Sequence, residues 1–161
     1  MTHFHDLYQT YAADVHRFAY YLCGDAAEAA DLTSETFMRV WTVQDDLRAQ
    51  TVKAYLFTIV RRLYLQQRRR QSRHEEISPE LADPEPGPDH RAETRSELDA
   101  VLAVLRTLPE LDRSVLLMRA QHELSYEEIA AVHGISVAAA KVKVHRARLK
   151  LAGLRSEGKK P

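Results

Sequence analysis

The sequence predicts an all-α protein of two small helical domains, a three-helix bundle and a helix-turn-helix domain, joined by an acidic, proline-rich linker. Three observations carry this reading. Apolar residues recur at spacings of three and four along most of the chain, the period of an amphipathic helix. Glycines number only five in 161 residues, and β-branched residues rarely alternate with polar ones, which disfavours strands. Between Ile77 and His90 (ISPELADPEPGPDH) four prolines and one glycine interrupt all periodicity, the mark of an extended, semi-rigid segment.

The first helix is expected over Thr2–Cys23, with Phe4, Leu7, Tyr11, Val15, Phe18 and Leu22 along one face. Gly24 breaks it, and Asp25 with Glu28 three residues later reads as a capping box for a second helix over Ala26–Thr42. That helix turns Ala29, Leu32, Thr33, Thr36, Phe37, Val40 and Trp41 to one side, with Trp41 read as a core anchor. After a polar loop, Val43–Gln50, Thr51 caps a third helix over Val52–Gln71 with Tyr55, Leu56, Ile59, Val60 and Leu63 inward and arginines outward. Three helices on short connections make one bundle. Beyond the linker, Leu98, Val101, Leu102 and Leu105 mark a fourth helix. Pro109 suits the first turn of a fifth, which carries Leu111, Val115, Leu116 and Met118.

The composition, with 45% hydrophobic and 29% charged residues, fits a globular protein rather than a disordered one. No apolar run approaches the 18 residues of a membrane span. The N-terminus shows no basic stretch followed by an apolar run, so a cytoplasmic protein is expected. The single Cys23 cannot form an internal disulfide. Net charge is zero, yet sixteen of the 23 basic residues lie in two segments, 48–73 and 141–160. Residues 1–47 and 75–90 are acidic. Two positive surfaces on a neutral chain bind phosphate weakly unless something else holds them there. The charge map therefore predicts acidic segments folded over the basic helices in the free protein.

Chemistry concentrates in Ser125–Lys150. Ser125-Tyr126-Glu127-Glu128 is a capping box that opens a short sixth helix carrying Ile129, Ala130 and Val132. His133-Gly134-Ile135 is a tight turn in which Gly134 supplies positive φ. Ser136 caps a seventh helix over Val137–Leu154, with Ala140, Val144, Ala147 and Leu151 inward. Short helix, glycine turn and longer basic helix are the parts of a helix-turn-helix. Lys141, Lys143, His145, Arg146, Arg148 and Lys150 supply donors for phosphates and guanine edges. An ordinary hairpin with a solvated basic face is the bland alternative.

The chain then resembles the extracytoplasmic function (ECF) class of sigma factors, group 4 of the sigma-70 family. Asp25–Trp41 is similar to regions 2.1–2.2 of that class, and Ala54–Arg61 to region 2.4. Leu108–Leu117 and Ser125–Leu151, with His145-Arg146-Ala147-Arg148, are similar to regions 4.1 and 4.2. The resemblance implies sigma region 2 over residues 1–73, a flexible acidic linker over 74–92, sigma region 4 over 93–155 and a disordered tail over 156–161. It implies a protein that directs RNA polymerase to promoters and initiates transcription without being an enzyme.

Roles follow from the matching positions. Asp31, Leu32, Glu35, Phe37 and Arg39 are expected to grip the clamp helices of the polymerase β′ subunit, with the β flap as a second contact. Lys53, Tyr55, Arg61, Arg62, Gln66 and Arg69, with the Val43–Gln50 loop, are expected to recognise and open the −10 element. The seventh helix is expected in the major groove of the −35 element through Ser136, Ala139, Lys141, Val142, Lys143, His145, Arg146 and Arg148, with Val142, His145 and Arg146 facing bases. An opened strand is held by aromatic stacking and a basic groove, and Tyr55 and Tyr64 are the aromatic residues the third helix offers, although core packing suits both. Partners are then core polymerase, promoter DNA and an anti-sigma factor, with no membrane insertion and no small-molecule substrate. The chain departs from the class at Arg62, where Asn is common, at Gln66, where Asp is common, and at Ala139 and Val142, where Thr and Ser are common. These changes bear on the promoter sequence. His133 replaces a common Leu.

Two other classes compete. An enzyme would need an assembled site, and neither HExxH, CxxC nor a nucleotide-binding glycine loop occurs. Catalytic residues, cofactor and metal are accordingly all expected to be none. A stand-alone helix-turn-helix regulator would explain the last two helices, but not the acidic second helix or the basic third one. Such a regulator binds DNA tightly alone, whereas a neutral chain that depends on polymerase does not.

Overall fold

The computed structural model describes residues 2–42, 51–77 and 96–159, and these form seven helices and no strand. The helices are α1 (Thr2–Cys23), α2 (Ala26–Thr42), α3 (Val52–Ile77), α4 (Ser96–Arg106), α5 (Glu110–Ala120), α6 (Tyr126–His133) and α7 (Val137–Lys159). The expectations for the Val43–Gln50 loop and for most of the linker fall outside the described residues.

Local chemistry accounts for the ends of the helices. Gly24, at φ +77°, turns the chain out of α1, and its N–H donates to Tyr20 O at 2.7 Å. Asp25 Oδ1 then accepts from Glu28 N at 2.8 Å and starts α2. Thr51 Oγ1 accepts from Ala54 N at 3.2 Å and starts α3. Within α2, the buried Thr33 and Thr36 hydroxyls donate to Ala29 O and Leu32 O. Each thereby satisfies its own polar group one turn back.

Three expected boundaries are corrected. Helix α3 runs on from Gln71 to Ile77, because Gln and Arg are good helix formers and nothing breaks the helix before Pro79. Arg68 braces that extension, donating to Tyr64 OH at 3.0 Å and to Gln71 Oε1 at 3.0 Å. Helix α7 likewise continues to Lys159, so residues 156–159 are helical rather than a disordered tail. Pro109, expected inside the first turn of α5, is its N-cap, with ψ at 152°.

Helices α1–α3 pack around Val15, Phe18, Leu22, Leu56, Phe57 and Val60. The Phe18 and Phe57 rings stack in parallel with centroids 4.4 Å apart. Helices α4–α7 pack around Leu105, Val115, Met118, Ile129, Ala140 and Val144. The two groups do not stay apart. Helix α1 meets α4 and α5, α3 meets α6, and a single buried apolar cluster runs through both.

Polar groups seal this junction. Arg113 of α5 is buried without a carboxylate partner among its hydrogen bonds. Its Nη1 donates to Leu22 O at 2.6 Å and to Tyr64 OH at 3.3 Å. Its Nε and Nη2 donate to Leu105 O at 3.1 Å and Leu108 O at 3.2 Å. The last carbonyls of a helix lack intrahelical donors and carry partial negative charge, so one guanidinium closes the ends of α1 and α4 together. Arg106 Nη2 adds a bond to Cys23 O at 2.7 Å. Its guanidinium lies so close over Gly24 that a Cβ there would collide with it.

Candidate nucleic-acid and polymerase interface

The helix-turn-helix forms as its residues dictate. Ser125 Oγ accepts from Glu128 N at 3.1 Å while Glu128 Oε1 accepts from Ser125 N at 3.0 Å, a complete capping box. Gly134 ends α6 at φ +67° and ψ 34°, a conformation that costs an L-residue roughly 1–2 kcal/mol. Ser136 Oγ accepts from Ala139 N at 3.0 Å and starts α7. His133 braces α6 against α5: its ring reaches Ile129 O at 2.7 Å through Nδ1 and Ser114 Oγ at 2.8 Å through Nε2. Nδ1 can only donate to the carbonyl, which leaves Nε2 to accept. Burial drives the pKa of this histidine down to about 4, so it is a neutral packing element.

With 100° per residue, α7 divides cleanly. Ala140, Val144 and Ala147 are buried. Val142, His145, Arg146 and Leu149 form the opposite, exposed face, with Val142 45% exposed. Ser136, Lys141 and Arg148 are also exposed, and Ala139 is half-buried. Lys141 lies over the Tyr126 ring at 5.8 Å. Lys143 is turned aside to Asp112 Oδ1 at 3.5 Å. Arg148 lines a groove with Arg17 and Tyr21 of α1 and Leu151 of α7. The face aimed away from the core is thus the one expected to meet bases, extended by Leu149, which periodicity alone does not single out.

The residues expected to meet the −10 element are placed differently. Arg62, Gln66 and Arg69 are exposed. Arg61 is 16% exposed at its side chain and is held by both carboxylate oxygens of Glu110 at 2.8 Å. Lys53 pairs with Asp14 at 3.6 Å, and Tyr55 is half-buried. Tyr64 is buried with its hydroxyl bonded to Arg68 and Arg113, so it packs rather than stacking on a base. Among the described residues, the acidic N-terminal segment approaches α3 through Asp14 at Lys53 and Glu28 near Arg68, and the expected cover from residues 78–90 lies outside the described residues. Helices α5 and α6 add Glu110 at Arg61 and the Glu128 carboxylate at Thr51.

On α2 the expected polymerase-gripping set splits. Asp31, Glu35 and Arg39 are exposed, and Arg39 pairs with Glu35 at 3.4 Å. Leu32 and Phe37 are 4% and 3% exposed: they belong to the core and can only support that surface from beneath. The exposed apolar positions are instead Met38, 63% exposed, with Tyr8 and Trp41. Trp41 is about half exposed, its ring edge-on to Phe4 at 4.8 Å, and so is not the buried anchor its spacing suggested. These residues line a shallow apolar depression with Phe4 and Ser34. Met38 sits three residues after Glu35, on the same helical face, and that spacing was a readable signal.

Cys23 is buried, its Sγ 3.3 Å from Asp25 O, and burial pushes its thiol up to about 11. Among the described residues no group of three or more His, Cys, Asp or Glu converges as for a metal ion, and no helix is long and apolar enough to cross a membrane.

Comparison with known proteins agrees with this division. Residues 7–74 match the family model for sigma-70 region 2 and residues 98–151 the model for sigma-70 region 4. The chain is 30% identical over 158 residues to the ECF RNA polymerase sigma factor SigM of Bacillus subtilis, covering 95% of each. It is 35% identical over 151 residues to the ECF sigma factor SigE of Mycolicibacterium smegmatis, covering 91% of this chain but only 59% of SigE. In structure it is similar to the sigma factor RpoE in complex with the anti-sigma factor NepR from Bartonella quintana, with a TM-score of 0.84 at 28% identity over 97% of this chain and 98% of that one. CnrH in complex with the cytosolic domain of CnrY gives a TM-score of 0.71 at 26% identity over 96% and 88%. The chain belongs to the ECF sigma factors of the sigma-70 family, RNA polymerase subunits for promoter recognition. A stand-alone helix-turn-helix regulator would leave the region 2 match over 7–74 unexplained.

Proposed function

We propose that this sigma factor holds core polymerase first and reads DNA second, through three separate surfaces. Helix α2 meets the β′ clamp helices with Asp31, Glu35 and Arg39 around the apolar Met38, Trp41 and Tyr8, and region 4 meets the β flap. Helix α3 takes the opened −10 strand with Lys53, Tyr55, Arg61, Arg62, Gln66 and Arg69. Helix α7 reads the −35 duplex with Val142, His145 and Arg146 at base edges, and Ser136, Ala139, Lys141, Lys143 and Arg148 on the flanks. The single observation that carries this reading is the outward face of α7, clear of the core and presented by a capped, glycine-turned helix-turn-helix.

Exposed Val142 and the small Ala139 favour apolar contact with thymine methyls over hydroxyl readout. Functional limits near residues 1–73 and 93–155 fit this scheme, as does work in the cytoplasm at the nucleoid without catalysis. RpoE and CnrH were solved with anti-sigma partners, and their likeness supports a partner of that kind here.

The experiment is a gel shift of pooled genomic DNA fragments with core polymerase, with this chain, and with both. A heparin-resistant, sequence-specific complex formed only by the mixture is the expected result. Specific binding by the chain alone, indifferent to polymerase, would overturn the proposal.

A further inference from the structure

The outward side of α7 carries residues of two chemical kinds, and the apolar kind reaches one turn beyond the base-reading set proposed above. We infer that Leu149 is a further specificity-determining residue of the −35 site, packing on the C5 methyl of one thymine as Val142 packs on another. The inference rests on the proposed role of α7 and adds to it a spacing between two read methyls.

Three observations carry it. The first is direction. At 3.6 residues per turn, seven residues return a helix to within about 20° of its starting direction. Leu149 therefore stands in line with Val142, opposite the buried Ala140, Val144 and Ala147. His145 and Arg146, both exposed, lie between them along the axis. The second is exposure. Leu149 is 59% exposed and Val142 45%, and the other large apolar side chain described as exposed in α4–α7 is Val101 of α4. A lone exposed leucine needs no explanation. Two apolar side chains in line on the side turned away from the core call for one. The third is charge. No acidic residue occurs from Val137 to Ser156, while Lys141, His145, Arg146, Arg148 and Lys150 are all exposed along the same stretch.

An apolar line inside a cationic frame fits a DNA duplex. The cations meet phosphates on either side, and the line between them meets the floor of the groove. In the major groove the base edges offer one apolar group, the thymine C5 methyl. Leucine neither donates nor accepts a hydrogen bond, so Leu149 discriminates through that methyl alone. Seven residues at 1.5 Å each set Val142 and Leu149 about 10.5 Å apart along the axis. Bases follow one another every 3.4 Å along a strand, so a helix lying along the groove places the two methyl contacts about three base steps apart. His145 and Arg146 then face the polar edges of the pairs between.

The test uses holoenzyme assembled from core polymerase and the full chain, on a promoter fragment recovered from the gel shift. Each thymine of the −35 region, on both strands, is replaced in turn by deoxyuridine, which removes the methyl and keeps every base-pairing hydrogen bond. Affinity is measured by competition for the parent chain, Leu149→Ala, Leu149→Met and Val142→Ala. Alanine and methionine both favour helix, so the exposed position 149 tolerates either. The parent is expected to lose about fourfold at each of two thymines, the worth of one buried methyl group. Leu149→Ala should abolish the loss at one of them and Val142→Ala at the other, whereas Leu149→Met, still apolar, should keep both. Uracil effects in Leu149→Ala equal to those of the parent overturn the assignment. Disappearance of both effects in that variant overturns it too, since it marks a displaced helix rather than a lost contact. If the parent holoenzyme forms no specific complex, the proposed function falls and the inference with it. If the complex forms and Leu149→Ala changes no uracil effect, the role of Leu149 alone is lost.

Discussion

Helices α3 and α7 are the two basic helices of the chain, similar in length at 26 and 23 residues, yet the fold treats them oppositely. Helix α7 buries a narrow stripe of small residues, Ala140, Val144 and Ala147, and leaves its groove-facing side free. Helix α3 buries large ones, Leu56, Phe57, Val60 and Tyr64, and its first half is then covered a second time by α5 and α6. A helix that lies across one domain can present a whole face. A helix at a domain junction presents what the neighbouring domain leaves, here Arg62 and Gln66 and then the arginines of its second half, Arg68, Arg69, Arg70 and Arg73. Basic composition therefore marks a helix for nucleic acid without saying whether it is accessible in the free protein.

The comparison breaks first at Arg113. Arg113→Met removes the guanidinium that closes α1 and α4 and leaves Leu22 O, Leu105 O and Leu108 O short of donors in a dry site. A loss of roughly 3–5 kcal/mol in urea-unfolding stability is expected, as when one partner of a buried charged interaction is deleted. A loss below about 1 kcal/mol would mean that the junction contributes little to the folded state.

Arg146→Ala addresses the open helix. It should leave stability unchanged and cost roughly 1–3 kcal/mol of discrimination among −35 variants in polymerase complexes. Equal weakening across all sequences would place Arg146 on phosphate instead. Ser125→Ala removes the cap of α6, which touches both α3 and α7, and should lower stability by about 1 kcal/mol, read as a fall in Tm.

Acid should weaken the covered side selectively. Burial holds the pKa of His122 down to about 4, with Lys53 of α3 and Arg17 of α1 lowering it further and Asp14 of α1 opposing them. A histidine with its folded pKa below the unfolded value of about 6.5 stabilises fully above that value. The stabilisation is lost as pH falls from about 6.5 toward 4. His133 adds the same sign within region 4. Tm should therefore drop between pH 7 and pH 5, and by less in His122→Phe, which keeps a ring against the stacked Phe18 and Phe57 and removes the unpartnered Nε2. Equal drops in both proteins would clear His122 of the effect. The smallest change in stability, within about 0.5 kcal/mol, is expected for Met38→Glu on the exposed side of α2. Its effect should appear instead as weaker capture of core polymerase in a pull-down.

Much of this architecture was legible before folding was considered, and the exceptions share a cause. Periodicity located the helices because each must bury one stripe. The caps at Asp25, Thr51, Ser125 and Ser136 and the turn at Gly134 were readable because they satisfy backbone groups within three or four residues. The face of α7 followed from the same geometry. Leu32, Phe37 and Trp41 were misjudged in detail because a helical wheel gives a direction and not the depth of the neighbour lying there. Nothing local announced that Arg113 would cap a helix 91 residues away, or that Glu110 would hold Arg61.

The sequence by itself thus determined the two helical regions, the helix-turn-helix and its reading face, since these depend on interactions within a few turns of the chain. Only the tertiary structure decided that the regions share one core, that arginines close helix ends across the junction, and that Glu110 holds Arg61 of α3 while the outward face of α7 is clear. Those outcomes depend on which long-range surfaces meet. A charged side chain satisfied by distant backbone carbonyls leaves no trace in the spacing of its neighbours.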